Sequence, residues 1–340
     1  MAMLAAMTVA AQTPPPGEPI RLRVLGGLAG VNQSTKHEEP FWRERLPALS
    51  QGRLQADLVP FDRAGLRTPE VLGLLRAGTA PFGTLILGQL PPREADLAAL
   101  DLPGMSPQLS DLRRALQAFR PYAQAELRSR HGLELLAVYI YPAQVLWCRQ
   151  PLAQLGDVKG RRVRTSGLAQ SQWVEALGAV PVATPFADIV SRMRLADIDC
   201  AITGTMSGNT IGLHEHSTHL HAMAISWGMS YFVAHGASFA ALPPAQQALL
   251  RRGLAQLENE IWAGAERETQ GGIDCNQGSP KCVGGQPGRM RVVPAGEADL
   301  ALARRAFAQA VLPRWVERCA VDCTALWQRT LAASTGVALR

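Results

Sequence analysis

DVKGRRVRTSG, residues 157–167, decides how this chain is read. It reads as a short strand that ends at Arg164 and Thr165, with Ser166 placed to cap a helix beginning around Leu168. A guanidinium fork and free helix amides would then sit together at the carboxyl end of a strand, which is an arrangement for holding an anion. Guanidinium matches a carboxylate bidentately, as ammonium cannot. The competing assignment is that Arg164 pairs with an internal carboxylate such as Asp199 and only joins two elements.

The residues that follow repeat the strand–helix theme. LAQSQWVEALG (168–178), AVPVATP (179–185), FADIVSRMRLADID (186–199) and CAITGT (200–205) read as helix, strand, helix, strand. Phe186, Ile189, Val190 and Met193 fall at i, i+3, i+4 and i+7, one core-facing stripe. The amino-terminal part has the same rhythm. IRLRVLGGL (20–28) alternates as a strand, KHEEPFWRERLPALSQG (36–52) is a helix closed by Gly52, and LQADLVPF (54–61) is a second strand. TPEVLGLLRAG (68–78) starts with Thr68 as cap and Pro69 in the first turn, and GTLILGQL (83–90) is a buried strand. A second run of alternation opens with LELLAVYIY (133–141). The pattern is α/β, with two parallel-sheet domains and a crossing near Pro142. Beyond residue 250 the tail reads as mainly helical, interrupted by a loop between Cys275 and Cys282.

At 340 residues, 47% hydrophobic and 18% charged, the chain is long enough for two packed domains and lacks the signature of disorder. The net charge of +6 comes from scattered arginines, without the aromatic-interleaved basic stretch of a nucleic-acid surface, so no nucleic-acid partner is expected. A diffuse positive field suits small anions. MAMLAAMTVAAQTPPPGEP at the amino terminus is read as a secretory signal with a truncated basic region, followed by a proline-rich spacer. No other apolar segment approaches the length needed to span a bilayer, so a soluble exported protein is expected.

The six cysteines agree with export. Cys275 and Cys282 flank NQGSPK, a loop that a local disulfide would constrain. Cys319 and Cys323, at i and i+4, can bridge only if the helix breaks between them. Cys148 and Cys200, in apolar strand-like contexts, read as two buried thiols.

Catalytic signatures are missing. The chain has no G-x-S-x-G elbow, since GTMSG places Ser207 one position late, and no phosphate-binding loop or H-E-x-x-H pair. The glycines of LRVLGGLAG lack the spacing of a dinucleotide site, so no cofactor is expected. HEHSTHLH (214–221) gathers four of seven histidines. On a helix His214 and His221 face away from His216 and His219; on a strand at most two converge. A metal is therefore not expected, and these side chains read as solvated histidines at a helix end.

LGDVKGRRVRTSG, then LGAVPVATPFADIVSRMRLADIDCAITG, then FAALPPAQQALL together resemble the solute receptors of tripartite ATP-independent periplasmic (TRAP) transporters, the DctP family. The similarity runs from about residue 20 to 330 and is strongest over 150–250. It implies a two-lobed periplasmic solute-binding fold with an interdomain cleft, a long lobe-spanning helix and crossings near 142 and 230. On that reading residues 1–19 are leader and spacer, 20–142 with 231–270 form the first lobe, and 143–230 with 271–340 form the second. The implied function is that of a periplasmic receptor, not an enzyme, which binds a small organic acid anion and delivers it to the membrane subunits of a TRAP permease without itself spanning the membrane.

Arg164 matches the family arginine that clamps a carboxylate. Gln144 stands where sialic-acid receptors of the family carry a second arginine, which argues against that substrate. Thr203 replaces the asparagine of the family's DG..N turn, with Asn209 nearby. Thr203, Gln144 and Ser166 are the expected polar wall beside Arg164, and Asn32, Gln33 and Gln89 lie at ends of first-lobe strands that face the cleft. Trp227 and Tyr231 are read either as cleft walls or as core. A ligand-sensing adaptor of a signalling system and a periplasmic hydrolase are the alternatives.

Overall fold

The computed structural model describes residues 18–339, so the signal-like segment falls almost wholly outside the described residues. Three parallel strands open the chain: β1 (Ile20–Gly26), β2 (Leu54–Pro60) and β3 (Phe82–Ile86). β1 lies between the other two, with Val24 opposite both Leu58 and Phe82. Alternation sends Leu22 and Val24 inward, while β3 is buried at every position, as a strand covered on both faces must be. The β1–β2 link is a helix of irregular pitch, with two π-type turns (Gln33–Glu38 and Phe41–Arg45) leading into α1 (Leu46–Leu49). Between β2 and β3 lies α2 (Thr68–Arg76). Thr68 does not cap this helix, because Arg67 occupies the cap position and the Thr68 hydroxyl donates to Gln89 Oε1 at 3.0 Å.

A series of short turns leads to α3 (Leu109–His131) and then to β4 (Leu133–Tyr139). The chain next enters a second sheet with β5 (Gln144–Cys148). There follow β6 (Arg162–Thr165), α4 (Leu168–Ala176), β7 (Val180–Ala183), α5 (Ile189–Arg194), β8 (Cys200–Gly204), α6 (Thr205–Thr210) and β9 (His219–Ser226). β10 (Ser230–His235) returns to the first sheet, and α7 (Gly236–Ala240) and α8 (Pro244–Asn276) follow it. The chain ends with β11 (Arg291–Val293), α9 (Glu297–Ala306), α10 (Leu312–Arg318), α11 (Cys323–Thr330) and α12 (Ala332–Thr335).

The strand orders are β2-β1-β3-β10-β4 and β11-β9-β5-β8-β6-β7. Neither sheet is purely parallel, contrary to the sequence reading. β10 is antiparallel to β3 and β4, and β5 is antiparallel to β8 and β9. The physical reason lies in the crossings. Each of these strands arrives from the other sheet, so it enters at the end where its neighbours finish and must run away from it. β11, three residues long, leaves too short a pattern to be read from the sequence.

Three disulfides are formed. Cys275–Cys282 and Cys319–Cys323 are bridged, the latter where the helix breaks between α10 and α11. Cys148 and Cys200 are bridged as well, which corrects their reading as thiols. They stand directly opposite one another on antiparallel β5 and β8, a relation that the sequence does not display.

One apolar core runs from Leu85 and Val138 of the first sheet into Val145, Leu146 and Ile202 of the second. α8, 33 residues and therefore about 50 Å long, lies along both lobes. Leu250, Leu254, Leu257 and Ile261 pack into a first-lobe cluster with Leu22, Phe82 and Phe232. At its other end Gly272 seats α6, where a Cβ would collide with Thr205 and the Met206 amide. Asn276 there donates to the Thr205 carbonyl at 3.0 Å.

Candidate ligand-binding site

The carboxyl ends of the parallel strands in both sheets face a common cleft, where α/β folds place their ligands. From the second lobe come Arg164 near the end of β6, Thr203 near the end of β8, Gln144 at the start of β5, Ser166 and Phe186 from the adjoining turns, and Ser207 from α6. Leu28, Val31, Ile86, Gln89 and Asp101 face them from the first lobe, and Tyr141 and Gly228 come from the two crossings. The space they enclose is small, about 40 Å3. A larger groove, about 310 Å3 beside Arg113 and Trp262, lies along α3 and α8 and gathers no strand ends.

Arg164 is 2% exposed. Its Nε donates to the Thr184 carbonyl at 3.0 Å and Nη1 to the Ile202 carbonyl at 2.7 Å. These neutral acceptors fix the plane of the guanidinium without neutralising it. Burial alone pushes its pKa down to about 9, and it remains a cation at neutral pH. The internal-pair assignment does not hold, because Asp199 is taken by Arg162: Arg162 Nη2 reaches Asp199 Oδ1 at 2.7 Å and Nε reaches Oδ2 at 3.1 Å. A buried, unpaired cation at the wall of a cavity is costly unless an anion joins it.

Ser166 lines the cleft but caps nothing. Gly167 holds the cap position of α4, and the Ser166 amide is bound by Gln170 Oε1 at 3.0 Å. Gln144 and Gln89 present their amides to the cavity, anchored to the Pro142 carbonyl at 2.9 Å and to Thr68 respectively. The other sequence candidates lie elsewhere. Asn32 donates to Glu268 at 2.8 Å and Gln33 to the buried Glu38 at 2.9 Å. Asn209 spends its amide on Asn276 and on the backbone of Gln286. Trp227 and Tyr231 are core residues whose polar atoms are bound to the carbonyls of Ser106 and Leu97, each at 2.9 Å.

The histidine segment also departs from expectation. Only His214 and His216 lie at a short 3-10 turn; His219 and His221 are on β9. His221 is buried and bonded to Asp299 at 3.0 Å, so it is a structural residue and not a solvated one. Among the described residues no group of three or more histidine, cysteine or acidic side chains is arranged to hold a metal.

Sequence reasoning missed Asp101. It is the last residue of a 3-10 turn (Ala99–Asp101) and is buried beside the second crossing. Burial pushes its pKa up to about 7, against the opposing pull of the amides of Met229, Gly228 and Trp227 and of the Ser226 hydroxyl. The lobes meet beside it. Gly88 and Gly167 approach so closely that a Cβ on Gly167 would strike the Gly88 carbonyl, and the cleft is closed at that point.

Two lobes, a cleft between them at the strand ends and a buried unpaired charge in the cleft define a solute-binding protein. The family profile of bacterial extracellular solute-binding proteins, family 7 (DctP), matches residues 29–278, and the chain belongs to that family. The fold is similar to that of DctP7, a Bordetella pertussis extracytoplasmic solute receptor binding pyroglutamic acid, with a TM-score of 0.81 and 19% identity over 93% of this chain and 99% of that one. It is also similar to a TRAP periplasmic solute-binding protein from Desulfovibrio salexigens with bound orotic acid (TM-score 0.80, 14% identity, 92% and 99% covered). A TRAP protein from Marinobacter aquaeolei in an apo open structure gives a TM-score of 0.72 at 25% identity, with 92% and 100% covered. No curated protein matches the chain.

Proposed function

We propose that the protein is the periplasmic receptor of a TRAP transporter, which closes its two lobes on a small organic acid and hands it to the membrane permease. The observation that carries this reading is Arg164, a buried guanidinium with no carboxylate partner, facing the cleft from the end of β6. A ligand carboxylate supplies the missing anion, with Thr203, Gln144, Ser166 and Gln89 orienting the rest of the molecule. Family membership supports the receptor role and the permease partner. The carboxylates bound by the structural relatives support the ligand class. No helix among the described residues is long and apolar enough to cross a membrane.

Titration calorimetry with pyroglutamate, orotate, galacturonate and lactate tests the assignment. Arg164→Ala should weaken the best binder by roughly thirty to several thousandfold, the cost of leaving a desolvated anion unpaired (about 2 to 5 kcal/mol). Arg164→Lys should also bind weakly, because the charge survives without the bidentate geometry. Unchanged affinity in a folded Arg164→Ala protein would sink the carboxylate clamp. Turnover of any ligand would favour the hydrolase alternative.

A further inference from the structure

Arg164 accounts for one end of a ligand, and the opposite wall carries a group that the receptor reading leaves unused. Asp101 is buried, and although the amides of Met229, Gly228 and Trp227 and the Ser226 hydroxyl act on its carboxyl group, its Oδ1 has no hydrogen-bond partner. Its Oδ2 lies against Gly88, the residue on which the second lobe closes. The carboxylate and the Arg164 guanidinium line the same cavity, and the guanidinium's hydrogen bonds go to the Thr184 and Ile202 carbonyls. Arg318 lines a small adjoining cavity with Asp101.

A receptor for a simple carboxylate has no need of a second buried carboxylate, which would repel the ligand. An unpartnered buried acceptor is costly and is tolerated where a ligand completes it. We infer that Asp101 is a specificity residue that accepts a hydrogen bond from an N–H of the ligand, so that the protein selects carboxylates carrying an N–H donor (cyclic amides, imides or cyclic amino acids) over acids that lack one. This rests on the receptor reading above and adds a second pole to it: an anion held by Arg164, a donor held by Asp101. Around pH 7 part of the population of free receptor is protonated at Asp101, so discrimination should be sharpest at pH 8, where the carboxylate is ionised.

The test pairs L-pyroglutamate with 3-oxocyclopentane-1-carboxylate, which has the same ring with CH2 in place of N–H, titrated into the full chain at pH 8. L-proline and orotate extend the N–H set. The native protein should prefer pyroglutamate over its carbocycle by about tenfold or more, the usual consequence of leaving a buried polar group unpaired. In Asp101→Ala the ratio should fall to within about twofold; if that variant does not fold, the native ratio decides alone. Equal binding of the pair by the native protein overturns the inference, as does failure of all three N–H acids to bind. In the latter case, Arg164-dependent binding of galacturonate or lactate would leave the receptor reading standing, whereas a folded Arg164→Ala protein that bound them normally would remove both.

Discussion

Arg162 and Arg164 are the first and third residues of one four-residue strand and, being two positions apart, lie on the same face of the sheet. Arg162, at the outer end, is exposed and forked onto Asp199, with a further bond to the Ala196 carbonyl at 2.7 Å. The pair raises the arginine's pKa and lowers that of the aspartate. Arg164, at the inner end, meets only carbonyls and is pulled the other way, down to about 9. The first arginine is complete within the chain and serves as a joint between elements. The second is held in place but left incomplete, and only something from outside can complete it. On the proposed function, position along the strand, from solvent to cleft, separates a structural arginine from a ligand-binding one.

The comparison can be broken by letting water reach Arg164. Gly167→Ala places a methyl against the Gly88 carbonyl, so the lobes cannot meet as they do here. With the cleft held ajar, Arg164 becomes hydrated like Arg162, and ligand affinity should fall by roughly ten- to a hundredfold, the loss expected when the binding-competent state becomes a minor one. Small-angle scattering should show no contraction on adding ligand. A contraction equal to that of the native protein would refute this role for the glycine contact.

A milder way to sharpen the contrast is pH. Burial depresses the Arg164 pKa, so the free receptor binds that proton less readily than the unfolded chain does. The cost is full below about pH 9 and recedes between 9 and the usual arginine value. A carboxylate ligand needs the cation, so its affinity should be insensitive to this group below about pH 9 and fall about tenfold per unit above it. Calorimetry across pH 7.5 to 10.5, with the native protein as its own reference, would expose a flat profile if the arginine were not engaged. The smallest effect belongs to Arg162→Ala, which should leave affinity within about twofold and lower the melting temperature only slightly, because exposed pairs contribute little. A large loss of binding there would erase the distinction between the two ends of the strand.

Much of the frame can be read from residue patterns. The strands carrying Leu22 and Val24, the buried run from Phe82 to Ile86, and Arg164 at a strand end all declare themselves through alternation and flanking turns. Features created by tertiary crossing do not. The reversal of β5 and β10 and the Cys148–Cys200 bridge depend on which strands become neighbours, a relation absent from local periodicity. Asp101 is silent for the same reason, being an isolated aspartate that gains its burial only when residues 227–229 pass over it. Trp227 and Tyr231, which the sequence leaves open between cleft wall and core, are decided by the same crossing. Aromatic residues near a crossing look like cleft walls, but here the crossing packs them inward and the neighbouring Gly228 meets the cavity.

α8 has a consequence for how the molecule comes apart. Its first half fills the core of one lobe through Leu250, Leu254, Leu257 and Ile261, while Gly272 and Asn276 clasp α6 of the other. A helix that loses one lobe's packing loses most of what keeps it helical, since an isolated segment gains little from propensity alone. Neither lobe can melt while the other keeps its share of the helix intact. The two halves are therefore expected to denature as one cooperative unit.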